Sequence, residues 1–429
     1  MVVIDVMAVV ETMGKPLWVR NGRDLASHFI EVIDSKSEGA TEVHVVFDCY
    51  DIPTSLKEGT RQKRTGTRRA VVYKITVDAV IDKITRKDLL SCSQNKETLA
   101  IFLAAQLIEC KKDSQTTYVV TSKADCMTSN SLPIQHLRSE QEEADTRMLL
   151  HALDATQRGE TSITIHSPDT DVLVLTLWVY KRLCPDTTVI VGTGGKRRSI
   201  PLGPLYEAVG EELVKALPGF HAFSGCDQTG TISGKSKVSC CNTLKKAERS
   251  VLDAFSSLGT TDTISDDIDM TLERFVCQLY MPSTQLRTIG EVRWLLFSKK
   301  QHVDEQLPPT KAALHQMTRR ANLVALVWKS CDNPNPSIPS PILHGWQQDG
   351  DRLHPVPTTL PPAPKAVLQL IKCGCKGICV TMNCTCRKHN LKCTDMCGSC
   401  EVKCTNRSGN TDTVEHITGD ISDDEDLHI

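Results

Sequence analysis

Three apolar runs, each closed by an aspartate, constrain this chain more than any other feature. They are Val2 to Ile4 before Asp5, Val43 to Phe47 before Asp48, and Ile163 to Ile165 shortly before Asp169 and Asp171. Short apolar, β-branched runs read as buried strands of a parallel sheet, and the carboxyl ends of such strands are where open α/β sheets bind ligands. Glu142, Glu143 and Asp145 open a helical stretch, Glu143 to Leu153, and Asp227 lies in the turn Ser224-Gly225-Cys226-Asp227. Carboxylates gathered in such number repel one another and lose hydration, so the cluster calls for divalent cations. An all-oxygen donor set suits a hard ion such as Mg²⁺ or Mn²⁺, not zinc. Two such ions are a common means of in-line phosphodiester hydrolysis, one activating water and the other stabilising the leaving oxygen.

Each acid also has a plainer reading. Asp169 follows Ser167-Pro168, a combination that makes polar turns, and Ser139 with Glu142 fits a capping box, which makes Glu142 a helix-start residue. Glu143 and Asp145 are two apart, which on a regular helix points them about 200° away from each other. Both reach one cluster only if they straddle two ions or if the first turn is irregular.

At 429 residues the chain is long enough for two or three domains, and its formal net charge of −2 offers no global basic field. Nucleic-acid contact must therefore rest on local runs. One is Lys57, Arg61, Lys63, Arg64, Arg68 and Arg69, between the second apolar run and the acidic helix. Another is Lys235 and Lys237, in the stretch Gly230 to Lys237. No stretch approaches 18 apolar residues and the start lacks a basic leader, so an intracellular protein, nuclear or otherwise, without membrane contact is expected. Because the first strand begins at Met1, the sequence is equally consistent with a chain that lacks an N-terminal part of a longer product.

Alternating strand and helix signals, with Thr116 to Val120 as a further strand and Val189 to Val191 running into Gly192-Thr193-Gly194-Gly195, give an α/β class with a mainly parallel central sheet flanked by helices. That domain is assigned to residues 1–240. Helical spacing around Lys245 to Ser256, Leu272 to Tyr280 and Thr310 to Trp328 predicts a helical extension over 241–330. Nine of the 20 prolines fall between Pro334 and Pro364, which predicts an extended connector over 331–368 with Trp346 docked on a neighbouring surface. An acidic, disordered tail is expected over 408–429.

Of the 19 cysteines, nine crowd into the remaining segment, 369–407: Cys373, Cys375, Cys379, Cys384, Cys386, Cys393, Cys397, Cys400 and Cys404. Nine thiols do not divide into separate four-ligand sites, so thiolates shared among about three Zn²⁺ ions explain the count. The segment has almost no apolar residues for a core, which makes metal the source of its fold. The ten cysteines between Cys49 and Cys331 read as small buried hydrophobes.

The ordered set Ile4-Asp5, Val45-Val46-Phe47-Asp48, Glu143-Ala144-Asp145, Asp169-Thr170-Asp171 and Gly225-Cys226-Asp227 resembles the flap endonuclease (XPG-type 5′ nuclease) and PIN-like superfamily. The resemblance implies a PIN-like fold in which Asp5, Asp48, Glu143, Asp145, Asp169, Asp171 and Asp227 hold two Mg²⁺ or Mn²⁺ ions and cleave nucleic acid. It implies that the run from Lys57 to Arg69 guides a single strand. The stretch Gly230 to Lys237 stands where that family has a glycine-rich duplex-binding hairpin but departs from its pattern. Residues Cys373 to Cys404 resemble one half of a tesmin-type CXC domain, a DNA-binding zinc module; Asn383 replaces that family's DNA-contacting tyrosine. The expectation is a metal-dependent nuclease tethered to DNA or RNA by a zinc module. The alternative is a non-enzymatic nucleic-acid or chromatin adaptor with a degenerate PIN-like domain, for which chromatin proteins would be partners.

Overall fold

The computed structural model describes residues 1–50, 55–57, 71–298, 307–350, 352–359, 371–394, 397, 400 and 404–407. The fold is α/β, built on a seven-stranded sheet of order β4-β3-β2-β1-β5-β6-β7. The strands are β1 (Val2–Asp5), β2 (Glu42–Val46), β3 (Thr117–Ser122), β4 (Asp125–Thr128), β5 (Ser162–His166), β6 (Asp186–Val191) and β7 (Arg198–Pro201). The central five are parallel, and the two edge strands pair antiparallel to β3 and β6.

Side chains alternate between two buried faces, as a doubly covered sheet requires. Val2, Ile4, Val43 and Val45 pack on one face with α1 (Val6–Thr12), α2 (Gly22–Lys36) and α3 (Ser93–Cys110). Val3, Val46, Ile163 and Ile165 pack on the other with α4 (Ala144–Gln157) and α5 (Thr170–Val179). The chain therefore winds outward from β1 through β2 and β3 on one side, then returns to lay β5 and β6 on the other. The strand order reverses between β1 and β5, and a crevice opens there at the carboxyl ends of the strands.

Helices α6 (Leu202–Val209), α7 (Glu211–Ser224), α8 (Lys237–Lys245), α9 (Arg249–Ser257), α10 (Asp266–Tyr280), α11 (Ile289–Ser298) and α12 (Lys311–Lys329) continue the second face. Their core is not separate from that of the sheet: Phe220, Phe223, Phe255, Phe275 and Trp328 belong to the same buried cluster as Ile163 and Val189. Residues 1–359 accordingly form one compact unit and residues 360–429 a second.

The proline-rich stretch up to Thr359 lies within the first unit. Proline has no N–H to donate but keeps its carbonyl, and Pro334 O accepts from Ser139 Oγ at 2.9 Å. Beside it, Gln141 Nε2 donates to Cys331 O at 3.1 Å and Asn333 O at 2.7 Å. A hairpin follows, β8 (Trp346–Asp349) with β9 (Arg352–Pro355), and Trp346 is buried. Among the described residues no helix is long and apolar enough to cross a membrane.

Candidate active site

Three acids sit where a strand or loop turns into a helix. Asp5 is the N-cap of α1 and accepts from Ala8 N at 3.1 Å; Asp169 is the N-cap of α5 and accepts from Asp171 N at 2.9 Å; Glu143 is the N-cap of α4. A helix N-terminus carries partial positive charge, which suits an anion. Glu143 does not cap with its own side chain. Asp48, at the end of β2, does so in its place: its Oδ1 accepts from Ala144 N at 2.8 Å, and Cys49 N donates to Glu142 O at 2.8 Å.

This arrangement removes the difficulty over Glu143 and Asp145. Glu143 has extended backbone (φ −95°, ψ 137°), so it lies outside the helix and the angular rule for a regular helix does not apply to the pair. The capping box expected of Ser139 and Glu142 does not form. Ser139 bonds Pro334 O, and Glu142 accepts from Ser55.

Asp5, Asp48, Asp145, Asp169 and Asp227 line one cleft of about 460 Å³ at the sheet's switch point. Carboxylate oxygens of Asp145, Asp169 and Asp171 lie within 4.8 Å of one another. Glu143 joins the group from the side, its Oε1 accepting from Gln228 and its Oε2 3.3 Å from Lys57 Nζ. All seven predicted acids are thus brought to one region. Lys57 is the surprise: read as part of a basic run, it lies among the acids, its Nζ also 3.7 Å from Asp145 Oδ2.

The electrostatics follow from burial. Burial, then the Asp48 charge, pushes the Asp5 carboxyl up to about 7, and burial pushes Glu143 up to about 7 against the pull of Lys57. Asp145 is raised well above the usual range by burial, again opposed by Lys57, and Asp169 is raised by burial and by Asp171. Burial would lower Lys57, but Glu143 and Asp145 hold its ammonium well above the usual lysine value. Asp171 goes the other way. Burial would raise it, yet the 2.7 Å contact of its Oδ1 with His221 Nε2 keeps it below the usual range.

A surrounding layer fixes these groups. Ser167 Oγ donates to Asp5 Oδ2 at 3.1 Å and accepts from Asp169 N at 3.2 Å. His221 rides on α7, its ring 5.6 Å from that of Trp328 on α12. Lys237 turns inward: its Nζ donates to Gly225 O at 2.6 Å and lies 3.2 Å from His221 Nε2. Lys235 lies over the Tyr280 ring at 4.7 Å. Arg61, Lys63, Arg64, Arg68 and Arg69 lie outside the described residues. Sequence reasoning missed the roles of Lys57 and Gln228, because nothing in their local patterns marks either as facing the acids.

In the second unit eight of the nine clustered cysteines are buried, and Cys375 is half-buried. Their sulfurs form three overlapping groups of four within 4.8 Å: Cys373, Cys379, Cys384 and Cys393; Cys373, Cys386, Cys393 and Cys397; and Cys379, Cys393, Cys400 and Cys404. Four thiols at that spacing suit tetrahedral zinc, and the sharing of Cys373, Cys379 and Cys393 suits bridging thiolates.

No family model matches the chain, and no curated protein matches it. Two solved structures of a bacteriophage T5 protein are similar to it. One is described as a flap endonuclease pseudo-enzyme–product complex with DNA and metal ions, the other as the T5 protein co-crystallised with metal ions. Each covers 77% of this chain and 90% of its own at 14% identity, with TM-scores of 0.38 and 0.37. A likeness this remote carries no argument about chemistry, which must rest on the site's own geometry.

Proposed function

We propose that the first unit is a divalent-metal-dependent phosphodiesterase acting on nucleic acid. The observation that carries the reading is the convergence of Asp145, Asp169 and Asp171 oxygens within 4.8 Å beside four further acids. Two of these, Asp5 and Glu143, have carboxyls raised to about 7 by burial, Glu143 even against the pull of Lys57. The donor set fits a hard divalent cation: all oxygen, contributed from several segments, and already drawing in an ammonium. Asp145, Asp169 and Asp171 would hold one ion, with Asp5, Asp48, Glu143 and Asp227 completing the set for two. Bound there, such ions supply charge neutralisation and Lewis-acid polarisation at a phosphate.

The chain's own residues have separable tasks in this reading. Asp5, raised by burial in the absence of metal, is one of the acids that a bound cation would draw into its ionised form. His221 fixes the rotamer of Asp171, and Ser167 that of Asp5. Lys57 offers a fixed positive charge to a phosphate oxygen. The cysteine segment, holding about three zinc ions, would tether the enzyme through Lys372, Lys376, Arg387, Lys388, Lys392, Lys403 and Arg407 to phosphates.

One observation favours a second reading, the non-enzymatic adaptor. Lys57 already neutralises part of the acidic cluster, as it would where metal is not needed. Incubation of purified protein with labelled single-stranded, duplex and flap substrates in Mg²⁺, Mn²⁺ or chelator separates the two. Chelator-sensitive cleavage is expected; its absence on all substrates, in protein that is folded and free of bound inhibitor, would leave the adaptor.

A further inference from the structure

A second cleft adjoins the acidic one and has the opposite character. It measures about 230 Å³ and shares Asp5, Ala8, Thr12, Pro168 and Thr193 with its neighbour, so the two have a common wall. Its other lining includes Lys36, His166, Arg197 and the turn Gly192 to Gly194. Among the described residues, the acid that lines it is Asp5.

The two cations are left uncompensated: among the described residues no carboxylate forms an ion pair with Lys36 or Arg197. His166 lines the same cleft and is buried, with no hydrogen-bond partner for its ring among the described residues. Burial, then Arg197, holds the Lys36 ammonium below its ordinary value, and burial, Arg197 and Lys36 hold His166 down to about 4. Two cations that converge on one cleft, neither of them ion-paired, make a place suited to an anion. The turn is built for it as well. Gly192 has φ +76°, and a Cβ there would meet Lys196 O at 2.5 Å, so only glycine lets the chain fold back tightly enough to return Arg197 to the cleft.

We propose that Lys36, His166, Arg197 and the Gly192 turn hold a phosphate of the substrate strand, next to the phosphate at the acidic centre. The inference rests on the nuclease reading for what the ligand is, and on this cleft alone for where it binds. Strand-end phosphates and internal phosphodiesters share the chemistry.

The test is calorimetric titration of the full chain, in chelator, with thymidine tetranucleotides bearing a 5′-phosphate, a 3′-phosphate or two hydroxyl ends. Arg197→Ala and Lys36→Ala should each weaken binding about tenfold, as expected for loss of one charge-assisted hydrogen bond, and Arg197→Lys should retain most of the affinity. An Arg197 effect confined to one phosphorylated end assigns the site to that strand end. An effect that persists with hydroxyl ends assigns it to an internal phosphodiester. Equal affinity of wild type and both alanine variants for every probe, or no binding by wild type, overturns the proposal. Matching melting curves for the variants exclude misfolding, and exposed Arg197→Glu gives a second variant should Lys36→Ala fail to fold. Since no divalent ion is present, the nuclease reading fails separately: missing cleavage with Arg197-dependent binding intact would sink only that reading.

Discussion

Lys57 holds a charge where a doubly charged ion is expected, and two predictions turn on it and its neighbours. Removing one partner of a buried ion pair costs about 3–5 kcal/mol. Lys57→Met in chelator should therefore melt well below wild type, with Mg²⁺ or Mn²⁺ restoring most of the loss; melting unchanged in chelator would mean that the ammonium neutralises nothing. Asp145 and Asp171 should respond in opposite directions. Asp145 is raised in the fold, so its ionised form at neutral pH opposes folding, and Asp145→Asn should stabilise metal-free protein. Asp171 is lowered, so its ionised form favours folding, and Asp171→Asn should cost roughly 1–2 kcal/mol as His221 loses its anionic partner. Both should shrink the melting shift produced by Mg²⁺ and reduce cleavage of a labelled strand by orders of magnitude. Opposite signs in chelator with a shared loss of metal response are what an ion site predicts and an ordinary helix cap does not.

At the scale of elements, α7 and its crossing with α9 position His221. A Cβ on Gly219 would lie 2.1 Å from Phe255 O, so Gly219→Ala must push the two helices apart, at a cost of about 1–3 kcal/mol. His221, two residues on, moves with the helix, and cleavage should fall with stability; full activity in a destabilised variant would uncouple them. A pair of buried histidines links β2 to α4, His44 Nδ1 lying 2.7 Å from His151 Nδ1, with His44 Nε2 2.7 Å from Glu42 Oε1. Burial lowers both rings below the ordinary 6.5, and His44 lowers His151 further. The folded state then stays neutral while the unfolded chain takes up protons, so stability is intact above 6.5 and is lost as pH falls below it. His151→Gln should be less stable at neutral pH yet show a shallower fall between about pH 6.5 and 5 in denaturant titrations. An unchanged slope would remove the pair from the account. The strands that end in acids were legible because a parallel sheet buried on both faces writes itself as continuous apolar runs. Helices α9, α10 and α12 were legible from spacing. The α7 helix was not, since Pro218 and Gly219 interrupt its pattern, and the edge strands β4 and β7 were not, since four residues with exposed or half-exposed side chains carry little periodicity. Of the site, the acids could be read from position in the chain, whereas Lys57 and His221 are brought in by tertiary packing that no local pattern records.

For the whole molecule, the two units should come apart chemically. If the cysteine segment holds zinc as proposed, stripping the metal from reduced protein should unfold that segment while the melting transition of the first unit persists, because the proposed ligand sets, thiols in one unit and carboxylates in the other, are separate. Cys393, a member of all three sulfur groups, should be the most damaging single site: Cys393→Ser should lose more zinc by metal analysis than Cys384→Ser, which belongs to one group. Equal losses would refute the shared-thiolate arrangement. The hydrogen bond from Ala144 N to Asp48 spans 96 residues of chain, and it sets an order of events. The first turn of α4 lacks its cap until β2 has docked, and the acids arrive on separate segments. We infer that their repulsion is met late, as these distant segments close on one another, on the native side of the folding barrier. An ion that needs all of them should slow unfolding and leave the refolding rate untouched, acting as a latch on a finished structure and not as a seed for it.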